Sequence, residues 1–186
     1  MKETVDLDQE IWTYEDYVKI PEDRVTHQII GGKLFMTPAP SSYHQKVSRN
    51  LEFAIWSYVK ENNLGEVFDA PIDVVFSSVN VVQPDIVFIS KDRLKILEER
   101  GIFGAPDLVV EIISPGTSEL DVKLKKQLYQ RFGVREYWIV YPEEKKVEVF
   151  KLKGGSFKGE GTFLKEDTLA PELFPGLKIN LNEIFS

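Results

Sequence analysis

Two carboxylates stand where carboxylates are costly. Asp85 follows Gln83-Pro84 and opens the apolar run Ile86-Val87-Phe88-Ile89, and Glu111 interrupts a second run from Leu108 to Ile113. An acid inside or at the mouth of a buried strand is unfavourable unless it is hydrogen-bonded, paired or bound to a cation. One reading makes both residues strand-end acids that face solvent or pair with lysine. The other brings them together on a divalent cation. Mg²⁺, or Mn²⁺ by the same preference for oxygen ligands, keeps several of its waters and suits phosphoryl chemistry. Glu111 lies within its apolar run rather than beside it, which favours a carboxylate with a partner.

The next chemistry-bearing residues come soon after. Ser114-Pro115-Gly116-Thr117-Ser118 breaks the second strand and caps a helix. Leu120, Leu124, Leu128 and Phe132 form its expected buried stripe, and Gly133 its stop. Asp121 and Lys125 lie one turn apart, on the face opposite that stripe. In isolation they are an exposed pair worth roughly 0.2–0.5 kcal/mol. Placed over the two carboxylates, Lys125 would instead orient a water or stabilise negative charge at phosphorus. Lys123 and Lys126 serve either phosphate or solubility.

The elements that must hold these groups are legible in outline. Thr13 with Asp16 three residues on marks a short helix at the domain edge. Gln28 to Met36 reads as a strand broken by Gly31-Gly32, and Thr37 to Ser42 as a proline-punctuated loop. Val47, Leu51, Ala54, Ile55, Tyr58 and Val59 give a helix over Tyr43–Asn62. Strands follow at Glu66–Asp69, Asp73–Phe76 and Pro84–Ile89, with a turn at Ser77–Asn80. Lys91–Arg100 reads as a charged helix, Gly101–Pro106 as a loop, and Leu108–Ile113 as a buried strand. Glu136–Tyr141 carries Trp138 and reads as another, with Val147–Leu152 as its hairpin partner. The fold class is α+β, one domain with a mixed central sheet and helices on its faces.

Composition narrows the chemistry. The 186 residues are 42% hydrophobic and 28% charged, enough for one full core. Cys is absent and only His27 and His44 are present, so thiolate and multi-histidine zinc sites are excluded. Lack of Cys fits a reducing, cytoplasmic setting. No apolar run is long enough to cross a membrane, and the first residues lack a signal peptide's apolar core. A net charge of -7 argues against a general nucleic-acid-coating role. It leaves room for a nuclease, because metal-binding carboxylates add to the negative tally and one local basic face can still grip phosphates.

Taken together, several stretches resemble one bacterial family. They are Gln83-Pro84-Asp85, Glu111 within Val-Val-Glu-Ile-Ile-Ser-Pro, Asp121 with Lys125, Tyr129, and Gly133-Val134-Arg135-Glu136-Tyr137-Trp138-Ile139-Val140. They are similar to the Uma-type restriction-endonuclease family of the PD-(D/E)XK nuclease superfamily, long labelled a domain of unknown function. The likeness runs from Arg24 to the C-terminus, leaving 1–23 as an edge segment. It implies a restriction-endonuclease-like αβββαβ core with extra N- and C-terminal strands, and Tyr43–Asn62 as the first helix. It implies Asp85 and Glu111 as metal ligands, joined by the Ile112 carbonyl, and Mg²⁺ as cofactor. The superfamily lysine normally stands two residues after the Glu, where this chain has Ile113; Lys125 on the next helix matches its relocated position. His44-Gln45 matches the family's His-Gln pair, so His44 is a supporting residue that orients water or contacts phosphate, or else bonds a nearby carbonyl. Gln28 stands where the family often has Glu, which weakens any second metal there. His27 carries no motif.

The function expected from this reading is metal-dependent hydrolysis of phosphodiester bonds in nucleic acid, DNA above RNA. Asp85, Glu111 and Lys125 are the catalytic set, with His44, Asp121 and Gln28 in support. The rival is a catalytically inactive DNA-binding or protein-interaction module that keeps the nuclease fold. A third reading leaves the acids in structural salt bridges. A homodimer through strand edges is compatible with each.

Overall fold

The computed structural model describes residues 11–21, 25–114 and 120–186, without the side chains of Leu120 and Asp121. In chain order the elements are α1 (Tyr14–Tyr17), β1 (Thr26–Ile30), β2 (Lys33–Thr37), α2 (Ser42–Glu61), β3 (Gly65–Asp69), β4 (Val74–Ser77), β5 (Asn80–Val82) and β6 (Ile86–Ser90). A 3₁₀ turn (Lys91–Ile96), β7 (Leu97–Glu98), β8 (Gly101–Phe103) and β9 (Leu108–Ile112) follow. A stretch of π-helix (Leu120–Lys125) then runs into α3 (Lys126–Phe132). The chain ends with β10 (Glu136–Tyr141), β11 (Lys146–Lys153), β12 (Ser156–Leu164), β13 (Thr168–Leu169), β14 (Ile179–Asn180) and α4 (Leu181–Ile184).

The sheet that carries the acids has the order β12-β11-β10-β9-β6-β3. β9 lies between β6, antiparallel with Ile86 opposite Val110, and β10, parallel with Ile139 opposite Glu111. That parallel pair needs a crossover, and the π-turn with α3 supplies it. Both faces of this sheet are covered, which is why its strands read as continuous apolar runs. Ile86, Phe88, Val110, Ile112 and Trp138 pack with Leu51 and Ile55 of α2. Val87, Ile89, Val109, Ile113 and Ile139 pack with Leu128 and Tyr129 of α3. Glu111 has the parity of Val109 and Ile113, so period-two alternation sends it toward the α3 side. At the other end of β9, buried Asp107 accepts the Ser90 N–H at 2.7 Å and pairs with Arg93 and Arg135 at 2.8 and 2.9 Å.

A second sheet, β2-β1-β5-β4-β8-β7, leans on the first. Its small core is Trp12, Ile29, Val75 and Val81. The capping pair read from sequence forms here: Asp16 accepts the Thr13 N–H at 3.0 Å and its hydroxyl at 2.6 Å.

Three local expectations are corrected or extended. The Ser77–Asn80 turn forms as read, with Ser77 opposite Asn80, but it leads into a strand not expected, β5, and the Asn80 side chain accepts the Gly31 N–H at 2.9 Å across the β1–β2 turn. Lys91–Arg100 is not one helix, because Leu97–Glu98 and Gly101–Phe103 pair as a short hairpin. The leucine stripe expected after β9 holds only in part: Leu128 and Phe132 pack into the core and Leu124 does not. Leu124 is 40% exposed, whereas Lys125 is buried to 2% exposure beside Leu128 and Tyr129. The π-turn changes the phase over Leu120–Lys125 and points a lysine inward where a leucine was expected. Gly133 closes α3 as read, in the left-handed region at φ 84°.

Candidate active site

The site forms where β6 begins and β9 ends. Pairing of β6 with β9 stops at Ile86 opposite Val110, so the Ile112 N–H lies beyond the last paired residue. The Asp85 carboxylate takes its place, accepting the Ile112 N–H at 2.7 Å. One acid is thus fixed to the backbone of the strand that carries the other. Glu111, one residue earlier, is 2% exposed and receives two donors from the crossover. Lys125 Nζ lies 2.8 Å from one carboxylate oxygen, and the Tyr129 hydroxyl donates to the other at 2.5 Å. Lys125 and Tyr129 are four residues apart and share a helical face.

From the opposite side comes the first turn of α2. The Ser41 hydroxyl accepts the His44 N–H at 3.2 Å and caps the helix. His44 Nε2 then lies 2.9 Å from the Ile112 carbonyl oxygen and 3.3 Å from Asp85 Oδ1. Burial works to lower the His44 pKa, but the hydrogen bond and charge of Asp85, with the Ile112 carbonyl, outweigh it and hold it above the ordinary value. Among the described residues buried His44 Nδ1 has no hydrogen-bond partner.

These groups open onto a cleft of about 1140 Å³. Asp85, Glu111, Ile112, Ser114, His44 and Lys125 line one wall; Tyr17, Gln28, Asp73 and Gln83 line another, with Arg100 and His27 also at the surface. The second wall is knitted by its own bonds. Asp73 accepts the Tyr17 hydroxyl at 2.6 Å and the Gln83 amide at 2.8 Å, and Gln28 Oε1 accepts the Gln83 N–H at 3.3 Å. Burial, reinforced by Asp73, raises the Tyr17 pKa well above the ordinary tyrosine value.

The structure therefore brings Asp85, Glu111, Ile112, Lys125 and His44 together. Gln28 shares the cleft but is engaged with Gln83. Asp121 is a residue of the π-turn whose side chain lies outside the described ones. Arg135, within the stretch that carries the family resemblance, pairs with Asp107 at the other end of β9, away from the site. Tyr129, one of the residues that carry the family resemblance, was given no role; its i+4 spacing from Lys125 was the available signal. The pairing of Tyr17 with Asp73 across the cleft wall required the tertiary fold.

The donor set decides which metal would fit. Among the described residues no group of three or more His, Cys, Asp and Glu is clustered. The Asp85 and Glu111 carboxylates and the Ile112 carbonyl belong to residues that line the cleft and are hard oxygen donors, the kind Mg²⁺ takes while retaining waters. Lys125 and Tyr129 do not exhaust Glu111, because a carboxylate offers about four lone-pair sites. The residues present fit such a cation.

Comparison with known proteins follows from this geometry. The structure is similar to the crystal structure of "a putative nuclease belonging to DUF820" from Anabaena variabilis ATCC 29413, with a TM-score of 0.78 and 23% identity, covering 93% of this chain and 97% of that one. At that identity the likeness establishes the fold. No curated protein matches the chain. A family model, Uma2, described as "Putative restriction endonuclease", matches residues 14–182, from α1 to α4 and across both cleft walls, and the chain belongs to that family.

Proposed function

We propose that this protein is a metal-dependent endonuclease that hydrolyses phosphodiester bonds in DNA. The observation that carries the reading is the meeting of Asp85, Glu111, the Ile112 carbonyl and Lys125 on one wall of an open cleft. Membership of a family described as restriction endonucleases supports nucleic acid as the substrate class.

Asp85, Glu111 and the Ile112 carbonyl would hold Mg²⁺. Bound there, the ion would supply Lewis acidity toward the scissile phosphate and a lowered pKa for a coordinated water. The chain's own residues do the rest. Lys125 presents a cation beside Glu111 at which negative charge on phosphorus is stabilised. Tyr129 fixes the second Glu111 oxygen and so sets the carboxylate plane. His44 braces Asp85 against the Ile112 carbonyl from the N-terminal end of α2, whose dipole favours anions nearby.

The test is plasmid cleavage in Mg²⁺ by purified wild type, Asp85→Ala and Lys125→Ala, with far-ultraviolet circular dichroism to show that each is folded. Wild type is expected to cut and both variants to lose activity. Cleavage at wild-type rate by either variant would sink the assignment. One observation favours an inactive, nucleic-acid-binding module instead: both Glu111 oxygens already have donors within the chain. Under that reading wild type binds DNA and does not cut it at any Mg²⁺ or Mn²⁺ concentration.

A further inference from the structure

The outer face of α2 carries a feature that the cleft does not use. Lys46, Arg49, Phe53, Trp56 and Lys60 recur at alternating steps of three and four residues, which places them in one stripe. All five are exposed, Phe53 by 65% and Trp56 by 36%, while Val47, Leu51, Ile55 and Val59 bury the opposite face. Lys60 Nζ lies 4.4 Å from the centre of the Trp56 ring. Half-buried Glu52 borders the stripe and exposed Glu61 follows Lys60 at its end. Three cations against two bordering acids still contrast with a chain whose net charge is -7. The stripe starts at the cleft, since Ser41, His44 and Gln45 line it just before Lys46. From Lys46 to Lys60 it extends about 21 Å along the helix.

We propose that this stripe binds an unpaired strand of nucleic acid and leads it to the cleft. Lys46, Arg49 and Lys60 meet phosphates, while Phe53 and Trp56 stack on bases. Charge selects this occupant. In a second copy packed antiparallel about a two-fold axis between Phe53 and Trp56, Arg49 of each copy would face Lys60 of the other. That arrangement sets like charges together, whereas a polyanion satisfies all three cations, and aromatic rings among cations suit bases of any sequence. The substrate class rests on the nuclease reading, but the stripe lies outside the reacting groups and is tested without cleavage.

The experiment uses the whole protein in chelator with a fluorescein-labelled oligothymidylate. Trp12 and Trp138 are buried, so Trp56 is the tryptophan open to acrylamide. Oligonucleotide should protect it from quenching. By anisotropy, Phe53→Ala should weaken binding about tenfold. Arg49→Gln should reduce the slope of log Kd against log salt by about 0.7. Both positions are exposed, and unchanged circular dichroism will show that the variants fold. Binding that depends on the stripe supports the inference even if the protein never cleaves, a result that would remove the nuclease reading alone. If wild type cleaves and the stripe variants bind as it does, the inference falls and the nuclease stands. It also falls if wild type binds no oligonucleotide. It falls again if Phe53→Ala converts a dimer into a monomer by light scattering with binding intact, which assigns the face to a second copy.

Discussion

At the scale of residues, the Glu111–Lys125 pair decides most. Both side chains are 3% exposed, so each charge is compensated within the protein, in part by the other, and Glu111 also by the Tyr129 hydroxyl. Removing one partner of a buried pair leaves an uncompensated charge and typically costs about 3–5 kcal/mol. Glu111→Gln and Lys125→Met should therefore each lower stability by that order in urea melts, and the double variant should lose less than their sum. An additive double variant would show that the pair is not coupled. Tyr129→Phe removes one donor to a carboxylate and should cost about 1.5–3 kcal/mol in the same assay, with kcat reduced more than KM is changed. A separate reporter is available in the Ile112 amide, held by Asp85 at 2.7 Å. Its proton resonance should move on adding Mg²⁺ to wild type and stay fixed in Asp85→Asn, followed by two-dimensional NMR.

At the scale of elements, the strands bearing the acids were readable and the helix bearing the lysine was misphased. β6 and β9 announce themselves because both faces are buried, so their sequences are apolar throughout and any acid in them stands out. The short strands β7 and β8 offered no such pattern, since two- and three-residue elements are too brief for periodicity. Leucine spacing set the phase of the crossover helix, but tertiary structure overrode it. An ion pair with Glu111 draws Lys125 inward, and the π-turn leaves Leu124 outside. The partner of a buried charge is a long-range fact that helical spacing does not contain. β10 makes the element-scale prediction. Burial raises the Glu136 pKa from 4.5 to about 7, against the opposing Trp138 hydrogen bond and the Lys151 charge. Between those values the folded chain binds more protons than the unfolded one, so this contribution to stability is full below pH 4.5 and lost as pH rises through about 7. Glu136→Gln should flatten that fall, which is about 3 kcal/mol in size. Equal pH profiles for the two proteins in chemical melts would refute it.

At the scale of the molecule, the two sheets share one cleft and contribute differently to it. A cation held only by the folded protein raises its melting temperature. Mg²⁺ should do so for wild type and not for Asp85→Ala in differential scanning fluorimetry, and absence of a shift at millimolar metal would argue against the donor set. The wall with Asp85, Glu111, Lys125 and His44 comes from the start of β6, the end of β9, the π-turn and the first turn of α2. The facing wall, with Tyr17, Gln28, Asp73 and Gln83, belongs to α1 and the second sheet and closes on its own hydrogen bonds. That separation makes the cleft evolvable in halves. The facing wall can therefore vary in shape while the bond from Asp85 to the Ile112 amide and the contacts of Glu111 with Lys125 and Tyr129 stay as they are.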